Sequence, residues 1–175
     1  MKCLFIGSAE SNVGKTIVCA GLAKTLKDRG YNVKYIKPVG HKPYKNTNYD
    51  IDGVALKRIL EMEESLDKVN PLCLTDDFYL KFFKKEIKIN PKEKVFNAVE
   101  ELLEDADILL VEGSGHLYGG AVVEAHSIEL IKRYNMPTII VTSGTLRKMY
   151  EDAVMAKKLL EGLNPVSNTH LRAHE

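Results

Sequence analysis

The apolar run Cys3-Leu4-Phe5-Ile6 leads directly into Gly7-Ser8-Ala9-Glu10-Ser11-Asn12-Val13-Gly14-Lys15-Thr16, and a periodic helix pattern follows at once. A Gly-Lys-Thr at a strand-to-helix turn is suited to phosphate. The amides of the turn and the positive end of the helix dipole face an anion. The lysine reaches β and γ phosphates, and the threonine hydroxyl suits Mg²⁺. The feature constrains the fold as strongly as the ligand, because it requires a strand end and a helix start at the same place. The usual first glycine of the pattern is absent: position 9 is Ala, and the nearest glycine is Gly7.

The rest of the chain repeats the strand-then-helix alternation. Residues 2–6 read as a strand, and 14–29 as a helix with Val18, Leu22 and Leu26 on one stripe and Gly30 as terminator. Asn32 to Lys37 is a second strand ended by Pro38, and His41 to Asp50 a polar loop. A helix over about Asp52–Glu61 is expected to bury Val54, Ile59 and Leu60 or their neighbours, with Asp52 as a candidate cap. Residues 64–89 carry no clear period, and Leu74 to Ile89 reads as a short helix or an insertion. Asn90 caps a helix that starts at Pro91, with Glu93 at the reciprocal position and Val95, Phe96, Val99, Leu102 and Leu103 on its apolar face. Ile108 to Val111 is wholly apolar, as in a strand covered on both faces. Ser127 to Tyr134 reads as a helix, Thr138 to Val141 as a strand and Arg147 to Leu160 as a final helix before Gly162. The expectation is an α/β three-layer fold with a mostly parallel sheet.

Composition removes several function classes. With a formal net charge of +1, nothing argues for nucleic acid. No apolar run reaches membrane-spanning length, and no leader precedes the first strand, so a cytoplasmic location is expected. Cys3, Cys19 and Cys73 are too scattered for a metal motif or a disulfide framework and read as buried thiols. Residues 165–175 have no element pattern and resemble a translated sequencing adapter. They are therefore set apart from a single domain over 1–164, which is expected to be C-terminally truncated, with an incomplete sheet.

Two further clusters join the phosphate loop. Glu112-Gly113-Ser114-Gly115 follows the apolar strand directly, and a carboxylate at the carboxyl end of a parallel strand faces the ligand crevice. Lys37-Pro38-Val39-Gly40 ends the second strand, where a cation can stabilise a transferred phosphate. Asp50 and Asp52 follow the polar loop, and Asp52 is favoured over Asp50 for the metal. His41 and His116 border the crevice and read as incidental, Lys42 and Lys45 as a solvated rim. Asp107 stands at the far end of its strand.

Together these motifs resemble the dethiobiotin synthetase-like group of P-loop proteins. Within it, Gly7-Ser8-Ala9-Glu10 with Gly14-Lys15-Thr16, and Asn70-Pro71-Leu72 with Leu74-Thr75, look like the BioD-like N-terminal domain found with phosphotransacetylase-type or DRTGG-containing proteins. The resemblance implies ATP and Mg²⁺ as cofactors. Gly7, Ser11, Asn12, Val13, Gly14, Lys15 and Thr16 would contact nucleotide, Lys15, Lys37 and Glu112 would be catalytic, and Thr16, Asp52 and Glu112 would arrange Mg²⁺. It implies attack of a carboxylate or carbamate on the γ-phosphate in the wider group, hence a small carboxylate substrate. A homo-oligomer and a further C-terminal domain are among the implied partners. Ala9-Glu10-Ser11 replaces the Thr-Asp-Thr character of true dethiobiotin synthetases, and Glu10 stands where dimerising two-lysine ATPases carry their signature lysine. No Asn-Lys-x-Asp motif is present, and ATP is preferred to GTP by the resemblance, not by a visible base pocket. Three readings stay open: a Mg-ATP-binding domain of an ATPase or ligase-like protein, a non-catalytic nucleotide-sensing module attached to another enzyme, and a carboxylate-activating synthetase of dethiobiotin or cobyrinate type.

Overall fold

The computed structural model describes residues 2–161. The adapter-like segment 165–175, Gly162 and the break expected near Asn164 lie outside the described residues. In chain order the elements are β1 (Cys3–Gly7), α1 (Lys15–Asp28), β2 (Val33–Ile36), β3 (Val39–Gly40), α2 (Ile51–Ile59), α3 (Leu66–Val69) and β4 (Leu72–Cys73). They continue with α4 (Asp76–Phe83), α5 (Pro91–Asp105), β5 (Ile108–Glu112), α6 (Ser127–Tyr134), β6 (Thr138–Ile140) and α7 (Leu146–Leu160). Four strands form one parallel sheet in the order β2-β5-β1-β6, and β3 pairs with β4 in a short parallel ribbon beside it. No described helix is long and apolar enough to cross a membrane.

The two-residue alternation of the strands sorts the core into two layers. Phe5, Leu109 and Val111 face α5 and α6 and pack with Val95, Phe96, Val99, Leu130 and Ile131. Ile6, Tyr35 and Leu110 face the opposite way, onto Cys19 and Ala23 of α1 and Leu56 of α2. Burial of each large apolar side chain in these layers stabilises the fold by about 1.5–3 kcal/mol. This is the three-layer α/β P-loop architecture. All three cysteines are free and buried.

Local signals account for most boundaries. Asn90 accepts a hydrogen bond from Glu93 N at 3.3 Å and Pro91 opens α5. Gly30, at φ 89°, closes α1, with its amide on Lys27 O and that of Tyr31 on Leu26 O.

One expectation is refined and two need correction. The deepest line of α1 is Lys15, Cys19 and Ala23, with Val18, Leu22 and Leu26 half-buried beside it, because the smaller Cys19 and Ala23 let the helix lie close to the sheet. Ile59 is 59% exposed, and Leu56 takes the buried place one turn earlier. Asp50, not Asp52, caps α2: its side chain accepts from Asp52 N at 2.9 Å. Residues 64–89 resolve into α3, β4 and α4, and α4 has no fully buried residue.

Candidate nucleotide site

The site lies at the carboxyl ends of β1, β5 and β2, which are neighbours in the sheet although far apart in the chain. Gly14 takes a left-handed conformation (φ 96°) and starts α1, and Asn12 also has positive φ (62°). Lys15 follows, and its buried Nζ donates to Ser8 Oγ at 2.7 Å and to the carbonyls of Glu10 and Gly115 at 3.4 Å each. All three partners are neutral. Burial lowers the pKa of Lys15, and nearby Glu112 only partly offsets this.

Lys37, just past β2, has the opposite surroundings. Its Nζ donates to Asp52 Oδ2 at 2.6 Å and to Glu112 Oε1 at 2.9 Å, and lies 3.6 Å from Asp50 Oδ1. Burial alone would push its pKa down, but Glu112, Asp50 and Asp52 together hold it above the ordinary lysine range. Glu112, the last residue of β5, is 1% exposed. Its Oε1 also accepts from Thr16 Oγ1 at 2.8 Å, and its Oε2 accepts from the Tyr35 hydroxyl at 2.8 Å.

Asp50 fixes the wall of the cleft. Its Oδ2 accepts from the amides of His41 (2.8 Å) and Lys42 (2.9 Å), and its own amide donates to Asn70 Oδ1 at 2.6 Å. Asn70 in turn donates to Lys37 O at 2.8 Å. Gly40 is required here, because a Cβ on it would lie 2.2 Å from Asp50 Cβ. A Cβ on Gly115 would likewise fall 2.2 Å from Ser11 Oγ, so the acidic-glycine turn lies directly against the phosphate loop.

The structure thus brings Ser11, Asn12, Gly14, Lys15, Thr16, Lys37, Asp52 and Glu112 to one cleft. Gly7 and Val13 are not among its lining residues, and Gly7 instead gives room to Phe5 and Leu117. His41 lines the cleft, and so does Lys42, whose Nζ donates to Asn12 Oδ1 rather than pointing free into solvent. His116 stacks on Tyr118 outside it. Asp107 accepts from the Asn32 amide at the other end of the sheet. Sequence reasoning missed Tyr35, Asn70 and the structural role of Asp50. The only advance signal for Tyr35 was a polar tip inside a buried strand.

Among the described residues no three His, Cys, Asp or Glu side chains are grouped to hold a metal by themselves. Mg²⁺ does not require such a group, since it keeps several waters and takes one or two carboxylates with phosphate oxygens. The Thr16 hydroxyl, Glu112 Oε1 and the Asp52 carboxylate, whose side chain is 30% exposed, form an all-oxygen set that fits this cation.

Residues 2–169 match the family model described as an AAA domain. The ATP-dependent dethiobiotin synthetase BioD of Methanocaldococcus jannaschii is 32% identical over 148 residues, covering 82% of this chain and 66% of that protein. Its counterpart in Methanococcus vannielii is 31% identical over 147 residues, covering 82% and 65%. The chain therefore spans just under two thirds of the length of these relatives. Among solved structures, the kinase domain of the Escherichia coli tyrosine kinase ETK superposes with a TM-score of 0.53 at 15% identity, over 99% of this chain and 70% of that one. The signal recognition particle receptor FtsY from Elizabethkingia anophelis gives 0.53 at 16% identity, over 91% and 47%. These structural likenesses carry the fold alone. Sequence match, sheet order and phosphate loop agree: the chain belongs to the AAA-domain family of P-loop NTPases and is a distant relative of the dethiobiotin synthetases.

Proposed function

We propose that this domain binds ATP with Mg²⁺ and holds the γ-phosphate between Lys15 and Lys37. The observation that carries the reading is Glu112 Oε1, which accepts from Thr16 and Lys37 at once. One oxygen thereby joins the phosphate loop, the second-strand lysine and the acidic-glycine turn. Among the described residues Lys15 donates only to a hydroxyl and two carbonyls, so phosphate oxygens would replace neutral partners with charged, stronger ones. The first turn of α1 adds amides and the positive end of its dipole. Thr16, Asp52 and Glu112 are the residues that would hold the metal. Bound Mg²⁺ supplies charge neutralisation across the β- and γ-phosphate oxygens. ATP rather than GTP is favoured by the names of the relatives.

Calorimetry should find Mg²⁺-dependent ATP binding that weakens about 100-fold in Lys15→Ala, equivalent to roughly 2.7 kcal/mol. A folded Lys15→Ala protein that binds like the wild type would overturn the reading.

A second reading, the carboxylate activation that the resemblance to dethiobiotin synthetases implies, draws support from Lys37. Its ammonium shares the cleft with Lys15, where a carboxylate oxygen attacking the γ-phosphorus needs a second cation while the bond to ADP breaks. That reading expects carboxylate-stimulated ADP release that is lost in Lys37→Ala, and unstimulated release in the wild type would count against it.

A further inference from the structure

We propose that Tyr35 is a positioning residue of this site: its hydroxyl holds the inner oxygen of Glu112, leaving the outer oxygen for Thr16 and the metal side of the cleft. The inference rests on the Mg-ATP reading above.

The geometry follows from the sheet register. Tyr35 of β2 is paired with Leu110 of β5, and Glu112 lies two residues beyond Leu110 on the same face. The ring therefore runs along the sheet beneath α1, packed among Ile6, Cys19 and Leu110, until its hydroxyl meets Glu112 Oε2 at 2.8 Å. Tyr35 is 0% exposed, and among the described residues that carboxylate is its only hydroxyl partner. A Phe would fill the same apolar space without a polar atom to satisfy. A buried hydroxyl without a partner costs about 1–3 kcal/mol, so its presence here is accounted for by the contact it makes.

The contact also has a direction. The phenol O–H is the donor and the carboxylate oxygen the acceptor, so the proton of the pair points from Tyr35 at Oε2. With Oε2 committed to Tyr35, rotation of the carboxylate is blocked and Oε1 stays toward Thr16 and Lys37. Without the phenol proton, both oxygens become available to Lys37, and the oxygen presented to a metal is no longer fixed. Outer partners of metal-holding groups typically change metal affinity by about 10–100-fold.

The test is Tyr35→Phe, read by the Mg²⁺ concentration giving half-maximal ATP binding. We expect that midpoint to rise about 10-fold, with ATP binding in EDTA unchanged. A role in packing alone would lower the melting temperature and leave the Mg²⁺ midpoint in place, and that result overturns the proposal. In a Glu112→Gln background, Tyr35→Phe should shift the midpoint no further, and additive shifts also overturn it. A wild-type measurement covers the case of a variant that does not fold. Of the eight tyrosines, Tyr35 is the one that is fully buried, so its ¹³Cζ resonance is assigned through the contacts of its ring with Ile6, Cys19 and Leu110. That resonance should move when Mg²⁺ and ATP are added together and stay fixed with ATP in EDTA, and a resonance unmoved by both overturns the proposal. If the wild type shows no Mg²⁺-dependent ATP binding, the Mg-ATP reading fails, and the Tyr35 role with it. If wild-type binding is normal and only the Tyr35 results fail, the Mg-ATP reading stands.

Discussion

Two buried ammonium groups stand in the same cleft and differ in almost everything except their chemistry. Lys15 is surrounded by a hydroxyl and two carbonyls, and burial leaves its charge poorly compensated. Lys37 faces three carboxylates and is overcompensated. The first is arranged to receive an anion. The second keeps Glu112, Asp50 and Asp52 from repelling one another, in a cluster with more negative than positive charge that still has room for a cation. A lysine's place in a motif does not reveal which of these tasks it performs. The number of carboxylates within 4 Å does.

The comparison breaks most visibly at Lys37. Lys37→Met should cost about 3–5 kcal/mol, because it strips the counter-charge from buried carboxylates, and urea unfolding would measure it. Lys15→Met should cost far less or stabilise, since it removes an ammonium that burial disfavours. Equal losses for the two variants would erase the distinction.

Alkaline titration separates the pair next. The folded pKa of Lys15 is lowered, so its proton leaves the folded protein below the ordinary lysine range. Its unfavourable contribution to stability, present at lower pH, fades as pH rises through that folded value toward the unfolded one. The pKa of Lys37 is raised, so its favourable contribution is complete below the unfolded lysine value and is lost only as pH rises through the higher folded one. ATP affinity should therefore fall in an alkaline window where these two lysines still leave the melting temperature intact. Binding and fold lost at the same pH would contradict that order.

The smallest effect belongs far from the cleft. Asn90→Ala removes the cap of α5 and should cost about 1 kcal/mol in unfolding while leaving ATP affinity unchanged.

Much of this was legible from residues whose signals are local. The Asn90-Pro91-Glu93 cap, the Gly30 stop and the apolar β5 segment announce their elements, because each rests on contacts within a few positions in the chain. The gathering of Lys15, Thr16, Lys37, Asp52 and Glu112 was legible too, since the carboxyl ends of adjacent parallel strands share one crevice. What failed depended on depth. Ile59 and Leu56 fit the helical period comparably, and only the packing of α2 decides which is covered. Asp50 and Asp52 are both good caps, and the choice follows from the amides of His41 and Lys42, which also need Asp50. Tyr35 reads as an ordinary core aromatic until the register of β2 on β5 is known. The short α3, β4 and α4 fall below the length at which a period can be read.

The strand order has a temporal consequence. β5 lies between β2 and β1, so the two strands made first flank a gap that is filled only when residues 108–112 appear. On a ribosome, the first hundred residues hold Gly14, Lys15, Thr16 and Lys37 without the strand that brings them together. Glu112 ends that strand and touches both Thr16 and Lys37. The phosphate loop and Lys37 are therefore made before the strand that joins them, and the contacts of Glu112 with Thr16 and Lys37 close only when β5 enters between β1 and β2.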